Sequence, residues 1–253
     1  MPRIHHATRE IQFKVVYYGP GLSGKTTNLE QIHQKSNPAH RGKLVSLTTE
    51  SERTLFFDLL PIDLGSFRGY SVRLHLCTVP GQIALDETRR LVLRNVDGIV
   101  FVVDSQRERL DENLASLRNL EANLLLQGDD PSRMPLVVQY NKRDLPKAMT
   151  PAALRRELAI EARVRQVEAC AVRGVGVFDT FKAITKGCMA VVGNPRDKPE
   201  GRSVSVLPGP ANSSMFPLAA AGPLQDEVAR AYAAQLGLEL PKSPRLPRVD
   251  ALG

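Results

Sequence analysis

Apolar positions follow two rhythms along the first two-thirds of the chain. Ile11 to Tyr18 is a β-branched and aromatic run that stops at Gly19-Pro20-Gly21, which predicts a strand followed by a loop. Helix-forming residues fill 24–35, and 43–48 predicts a short strand. From Ser71 to Val79 polar and apolar residues alternate, as in a half-exposed strand, and Pro80-Gly81 breaks the run. Gly98 to Val103 and Leu136 to Tyr140 are uninterrupted apolar runs, typical of strands buried on both faces. Over 107–127, Leu110, Leu114, Leu117, Leu120 and Leu124 share one helical face. Pro151 opens a predicted helix over 152–162, and 177–191 predicts a last amphipathic one. Strands alternating with helices predict an α/β protein, a parallel sheet with helices on both faces. Ligands of such sheets bind beyond the carboxyl ends of the strands. The loops after Tyr18, Val79, Val103, Tyr140 and Cys170 are therefore the ones expected to matter.

Near Gly193 the pattern changes. Residues 1–193 form the predicted globular domain. Residues 194–222 carry Pro195, Pro199, Pro208, Pro210 and Pro217 with little apolar patterning and read as a flexible linker. In the remaining 223–253, Leu224, Val228, Ala231, Tyr232 and Leu236 share a face of one predicted short amphipathic helix, which Pro241 stops. This tail reads either as a disordered extension without a role or as an autoregulatory or partner-binding helix on a tether.

Composition narrows the classes. With 42% apolar and 24% charged residues the chain is ordinary globular material, so wholesale disorder is excluded. Aromatic residues make up 5% and Trp is absent, which argues against a base-stacking platform. Cys77, Cys170 and Cys188 have neither disulfide-framework nor metal-ligand spacing, the usage of a reduced, cytoplasmic protein. The amino terminus lacks the apolar core of a signal peptide, Pro2 excludes myristoylation, and no stretch approaches the ~20 apolar residues of a membrane span. The net charge of +7 contains no run of five or six Lys/Arg, so a solvated basic surface is expected rather than nucleic-acid binding.

Two motifs carry chemistry. Gly19-Pro20-Gly21-Leu22-Ser23-Gly24-Lys25-Thr26 fits G-x-x-x-x-G-K-[ST], follows a predicted strand and opens a predicted helix. Its glycines let backbone N–H groups turn inward as an anion nest at a helix N-terminus. Gly19, Gly21, Leu22, Ser23, Gly24, Lys25, Thr26 and Thr27 are the candidate phosphate-binding residues, with Lys25 as point charge and the Thr26 hydroxyl as a ligand for Mg²⁺. The second motif, Asn141-Lys142-Arg143-Asp144, follows a buried strand at the same sheet edge. Guanine presents two N–H donors side by side, which one carboxylate such as Asp144 accepts together. Adenine presents none there, so Asp144 would be left desolvated and unpaired. Asn141 is placed to tie this loop to the phosphate loop, and the Lys142 stem to cover the base. Together the motifs favour GTP and GDP as ligands.

These residues give the chain a family resemblance. It is similar to small GTPases of the Ras/Arf type and, more closely, resembles the bacterial gliding-motility GTPases of the MglA type. The likeness rests on Tyr17-Tyr18-Gly19-Pro20-Gly21, on Thr49-Glu50-Ser51-Glu52-Arg53-Thr54-Leu55-Phe56-Phe57-Asp58, on Thr78-Val79-Pro80-Gly81-Gln82, on Asn141-Lys142-Arg143-Asp144, and on Gly174-Val175-Gly176-Val177-Phe178-Asp179-Thr180. It covers about residues 8–190 and implies a P-loop NTPase fold with a mostly parallel central sheet.

The resemblance also implies roles. Gly81 would donate its N–H to the γ-phosphate and Gln82 would orient the attacking water. Thr54 would contact Mg²⁺, with Thr48 and Thr49 as competitors, and Arg53 would be an intrinsic arginine finger, a group worth ~10³–10⁵ in rate. The N–H of Ala171, in Cys170-Ala171-Val172, would read guanine O6. Small GTPases usually carry Asp at the position of Thr78, and the MglA type shares this departure. The implied activity is slow hydrolysis of GTP to GDP and phosphate by a cytoplasmic switch governing cell polarity or motility, with recruitment to a cell pole. The implied partners are a roadblock-type GTPase-activating protein and effectors at the switch face. Two other classes stay open: a GTP-binding scaffold that does not hydrolyse, and an ATP-dependent P-loop enzyme.

Overall fold

A computed structural model describes residues 2–48, 55–81 and 86–193. The first strand, β1 (Arg3–His5), is short and pairs antiparallel with β2 (Glu10–Tyr18). Helix α1 (Lys25–Lys35) follows, then β3 (Val45–Thr48), β4 (Leu55–Phe67), β5 (Tyr70–Thr78) and helix α2 (Asp86–Leu93). The chain continues through β6 (Gly98–Asp104), α3 (Leu110–Leu126), β7 (Leu136–Asn141), α4 (Pro151–Glu157), β8 (Arg165–Glu168) and α5 (Val177–Gly193).

One eight-stranded sheet runs β3-β4-β5-β2-β6-β7-β8, with β1 beside β2 off this path. β5, β2, β6, β7 and β8 pair parallel, whereas β3–β4 and β4–β5 pair antiparallel. The sheet is thus mostly parallel, as expected, with an antiparallel flank that the alternation of strands and helices does not announce. The flank is antiparallel because β4 and β5 are joined directly by a turn at Arg68-Gly69, which leaves no crossover.

Strand alternation sorts the core. In β2, Ile11, Phe13, Val15 and Tyr17 face a cluster that includes Leu29 and Ile32 of α1 and Val177 and Ile184 of α5. Lys14 and Tyr18 face the other side, where the Lys14 ammonium donates to the Arg94 carbonyl and the Tyr18 hydroxyl bonds Asn119 of α3. Gly98 lets α5 sit close to β6, since a Cβ there would lie 2.6 Å from Cys188 Sγ.

Several elements differ from the periodicity. The helix expected over 152–162 stops at Glu157, because Ala159 takes φ 51° and Leu158 and Ile160 turn back into the core. The final helix runs two residues beyond Val191, to Gly193. β4, α2 and β8 are elements the pattern did not announce. Among the described residues no helix is long and apolar enough to cross a membrane. The expected linker over 194–222 and the expected tail helix lie outside the described residues.

Candidate functional site

The carboxyl ends of β2, β5, β6 and β7 converge on one edge, and the loops predicted there meet. The phosphate loop leaves β2 at Tyr18 and enters α1 at Lys25. Gly24 caps the helix at φ 97°, a left-handed conformation, with the Asn141 amide packed against it where a Cβ would sit. Lys25 is buried and its ammonium donates to the carbonyls of Gly19 at 3.0 Å and Pro20 at 2.7 Å. The Ser23 hydroxyl is buried without a protein partner. Leu22, by contrast, projects from the loop and is 85% exposed. Gly24, Lys25, Thr26 and Thr27 line a cleft of about 310 Å³, closed on the far side by Asp58, Thr78, Pro80 and Gly81.

Asp58 is the residue the sequence reading left without a role. It lies on β4, buried, beside Thr78 of β5. Its Oδ2 accepts from Thr26 Oγ1 at 2.7 Å and from Thr78 Oγ1 at 2.9 Å, and its Oδ1 accepts from Ser46 Oγ at 2.6 Å. The Asp58 N–H donates back to Thr78 Oγ1 at 2.8 Å. A carboxylate is therefore supplied from the neighbouring strand at the position where Thr78 lacks one. The signal was an isolated Asp in the apolar run Leu55-Phe56-Phe57-Asp58-Leu59-Leu60. A hydroxyl and a carboxylate oxygen at the end of a phosphate loop are hard ligands, the donor set Mg²⁺ requires. The residues present fit that ion.

The Asn141-Lys142-Arg143-Asp144 loop is tied to the phosphate loop through Asn141, as expected. Asn141 Nδ2 donates to the Ser23 carbonyl at 2.7 Å. The Ala171 N–H donates to Asn141 Oδ1 at 2.9 Å, so this donor is engaged within the protein. For Ala171 to read guanine O6 that bond must be shared or exchanged. Lys142, at φ 62°, pairs with the buried Asp104 at 2.6 Å, which anchors its head on β6. Asp144 stands exposed. The Cys170 thiol beside it, and then a backbone N–H, hold its carboxyl below the ordinary carboxylate range. Cys170 itself is buried, and burial together with Asp144 raises its thiol, so it is a packed donor and no nucleophile. Arg109, also unread from sequence, reaches across from the N-terminus of α3 and donates to the Gly21 carbonyl at 2.8 Å.

The structure thus brings together Gly19, Gly21, Gly24, Lys25, Thr26, Thr27, Gly81, Asn141, Lys142, Asp144 and Ala171 along one sheet edge. Gln82, Arg53, Thr54 and the competitor Thr49 lie outside the described residues, and Thr48 ends β3 with no described side chain.

A phosphate loop on the first parallel strand, a hard-ligand cluster beside it and an Asn-Lys-x-Asp loop two strands away define a P-loop small GTPase. Residues 3–188 match the family model of the ADP-ribosylation factor family. The chain is 53% identical over 186 residues to the mutual gliding-motility protein MglA of Myxococcus xanthus (strain DK1622), covering 74% of this chain and 95% of that protein. It is 31% identical over 169 residues to ADP-ribosylation factor-like protein 4D of Mus musculus, covering 64% and 76% of the two chains. It is 33% identical over 171 residues to ADP-ribosylation factor-like protein 4C of Homo sapiens, covering 65% and 81%. The chain belongs to the ADP-ribosylation factor family of small GTPases and, within it, is of the MglA type.

The electrostatics of the cleft give a pH dependence. Burial lowers the Lys25 ammonium to about 7; the Arg89 charge pushes the same way and Asp58 opposes it. An unfolded chain keeps Lys25 charged up to its ordinary 10.5, so the free protein gains stability as pH rises from about 7 towards that value. Nucleotide binding has the opposite sign. Phosphate oxygens favour the charged form, so above about pH 7 binding takes up a proton. GDP affinity is expected to fall between about pH 7.5 and 8.5, by up to about tenfold per unit. Calorimetry in buffers of different ionisation heat reads the proton directly. A flat affinity with no proton uptake would contradict the assignment of Lys25 to the phosphates.

Proposed function

We propose that this protein is a cytoplasmic GTP-dependent switch that governs cell polarity or motility and hydrolyses GTP to GDP and phosphate slowly until an activating partner binds. The observation that carries the reading is that the Asn141–Ser23 bond ties the phosphate loop, with its buried Lys25, to the loop that bears the exposed, ionised Asp144. The Myxococcus relative is named for mutual gliding motility, and 53% identity to it supports this reading.

In the proposed mechanism Asp144 accepts the two guanine donors while Asn141 holds the two loops in register. Lys25 leaves the Gly19 and Pro20 carbonyls for the phosphates. Thr26 and Thr54 would hold Mg²⁺, with Asp58 fixing the Thr26 hydroxyl from behind. The bound ion would supply neutralisation of charge on the β- and γ-phosphates. Gly81 donates its N–H to the γ-phosphate, Gln82 orients the attacking water, and Arg53 faces the charge that develops during transfer. The two segments that carry Arg53 and Gln82 act as the nucleotide-responsive switches and form the surface for effectors and for a roadblock-type activating protein. The protein acts from the cytoplasm with recruitment to a cell pole. Residues 194–222 serve as a linker to the tail 223–253.

Q82A and R53A are expected to bind GTP and GDP as the parent does and to release phosphate at least about tenfold more slowly in single turnover. Parental turnover in Q82A, with an activating partner present, would remove Gln82 from the mechanism. A parent that binds guanine nucleotides tightly and releases no phosphate would be a scaffold instead.

A further inference from the structure

Arg89 of α2 is one of the largest fully buried side chains, 1% exposed. Its Nε donates to the Pro80 carbonyl at 3.0 Å, its Nη2 to the Gly81 carbonyl at 2.7 Å and its Nη1 to Asn119 Oδ1 at 2.9 Å. The guanidinium carbon stands 5.6 Å from the centroid of the Tyr18 ring. Among the described residues no carboxylate pairs with it directly. Asp86 is reached only through Asn119, whose Nδ2 donates to Asp86 Oδ1 at 2.7 Å. Burying a cation without a carboxylate is costly, so the destination of its hydrogen bonds is informative.

Two of the three go to consecutive carbonyls at the mouth of the cleft. In a trans peptide the C=O and N–H of one unit point in opposite directions, and no described bond is cis. Fixing the Pro80 carbonyl on Arg89 therefore turns the Gly81 N–H away from Arg89. On its other side Gly81 packs against the phosphate loop: a Cβ there would lie 2.7 Å from the Gly21 nitrogen. The Pro80–Gly81 peptide is thus held between the guanidinium of α2 and the loop that receives the phosphates. Glycine has the freest backbone of any residue, so without the clamp this unit would sample many orientations. Gln82 continues directly from the anchored Gly81 carbonyl. The Arg89 charge is also felt at Lys25, so both cations act on the same cleft.

We propose that Arg89 is a positioning residue which, by clamping the Pro80 and Gly81 carbonyls, aims the Gly81 N–H for the γ-phosphate and so sets the preference for GTP over GDP. The inference rests on the proposed contact between Gly81 and the γ-phosphate. GDP lacks that phosphate, so loss of the clamp weakens GTP and spares GDP. A merely structural arginine would affect both nucleotides alike.

The test measures GDP and a non-hydrolysable GTP analogue, with Mg²⁺, on the full chain and on R89A, R89K and N119A, with thermal melts alongside. R89A is expected to bind GDP within about threefold of the parent and the analogue at least about tenfold more weakly. R89K keeps the charge and lacks the fork, so it falls between. N119A keeps both carbonyl bonds; it lowers Tm and leaves the GTP-to-GDP ratio at the parental value. A ratio unchanged in R89A overturns the proposal, and if R89A does not fold, an unchanged ratio in R89K does so. A parent that fails to bind the analogue overturns the proposed function and this inference with it. A parent that binds both nucleotides while every variant keeps its ratio overturns only the role of Arg89.

Discussion

Replacing Lys25 by alanine is expected to abolish measurable binding of both GDP and GTP while leaving the fold intact. The ammonium is the one charge inside the phosphate loop, buried, and held on the carbonyls of Gly19 and Pro20. Where a charge pair is buried, removing one partner leaves the other uncompensated, which costs about 3–5 kcal/mol, or roughly 10²–10³ in affinity and more. The folded protein without ligand meets the opposite balance. Burial already works against the charged form of Lys25, so its removal does not lower stability near neutral pH. The expected pair of results is lost binding of fluorescent GDP with an unchanged or raised Tm. Binding within tenfold of the parent would show that the backbone nest alone holds the phosphates.

The second large effect is expected at Asp144. It stands at the exposed end of a rigid construction: Asn141 is buried and bonded to both Ser23 and Ala171, and Lys142 is pinned to the buried Asp104. Its carboxyl is held in the charged, acceptor-only form by the Cys170 thiol. Removing it deprives guanine of two charge-assisted bonds, each worth about 1.5–3 kcal/mol. D144A should therefore lose about 10²–10⁴ in affinity for GDP and GTP and show no loss for ADP, which has no donors to offer there. The purine preference would shrink towards none. A D144A variant that still prefers GDP over ADP by the parental factor would place guanine recognition elsewhere.

Most of the site was legible because its chemistry is local. The phosphate loop needs a strand before it, a helix after it and glycines between, and all three are contiguous in 11–35. The base loop needs one buried strand and four residues. The flank of the sheet was not legible. β4 spans 13 residues, yet Asp58, Pro61, Asp63 and Gly65 interrupt its alternation. Proline is tolerated at position 61 because β3 pairs only with 55–59; beyond it β4 is flanked by the isolated Arg41–Ile62 bridge, which uses the Pro61 carbonyl as acceptor for the Gly42 N–H at 2.8 Å and asks no donor of residue 61. Helix α2 has just eight residues, and its Arg89 is buried where an amphipathic reading places arginine in water. Asp58 and Arg89 escaped for one reason. Each acts across a strand or helix boundary on residues 20 and eight or nine positions away, and no spacing rule connects them. The departure at Thr78 was the available clue: a missing carboxylate in one strand invites a search for one in its neighbour.

The most direct test of the central claim is nucleotide choice followed by turnover in the purified full chain. Fluorescent GTP, GDP and ADP are titrated with Mg²⁺, and phosphate release is then followed in a single turnover. Tight binding of guanine nucleotides, weak binding of ADP and slow release of phosphate are the predicted results. A preference for ADP would contradict the assignment of Asp144 and with it the proposed switch.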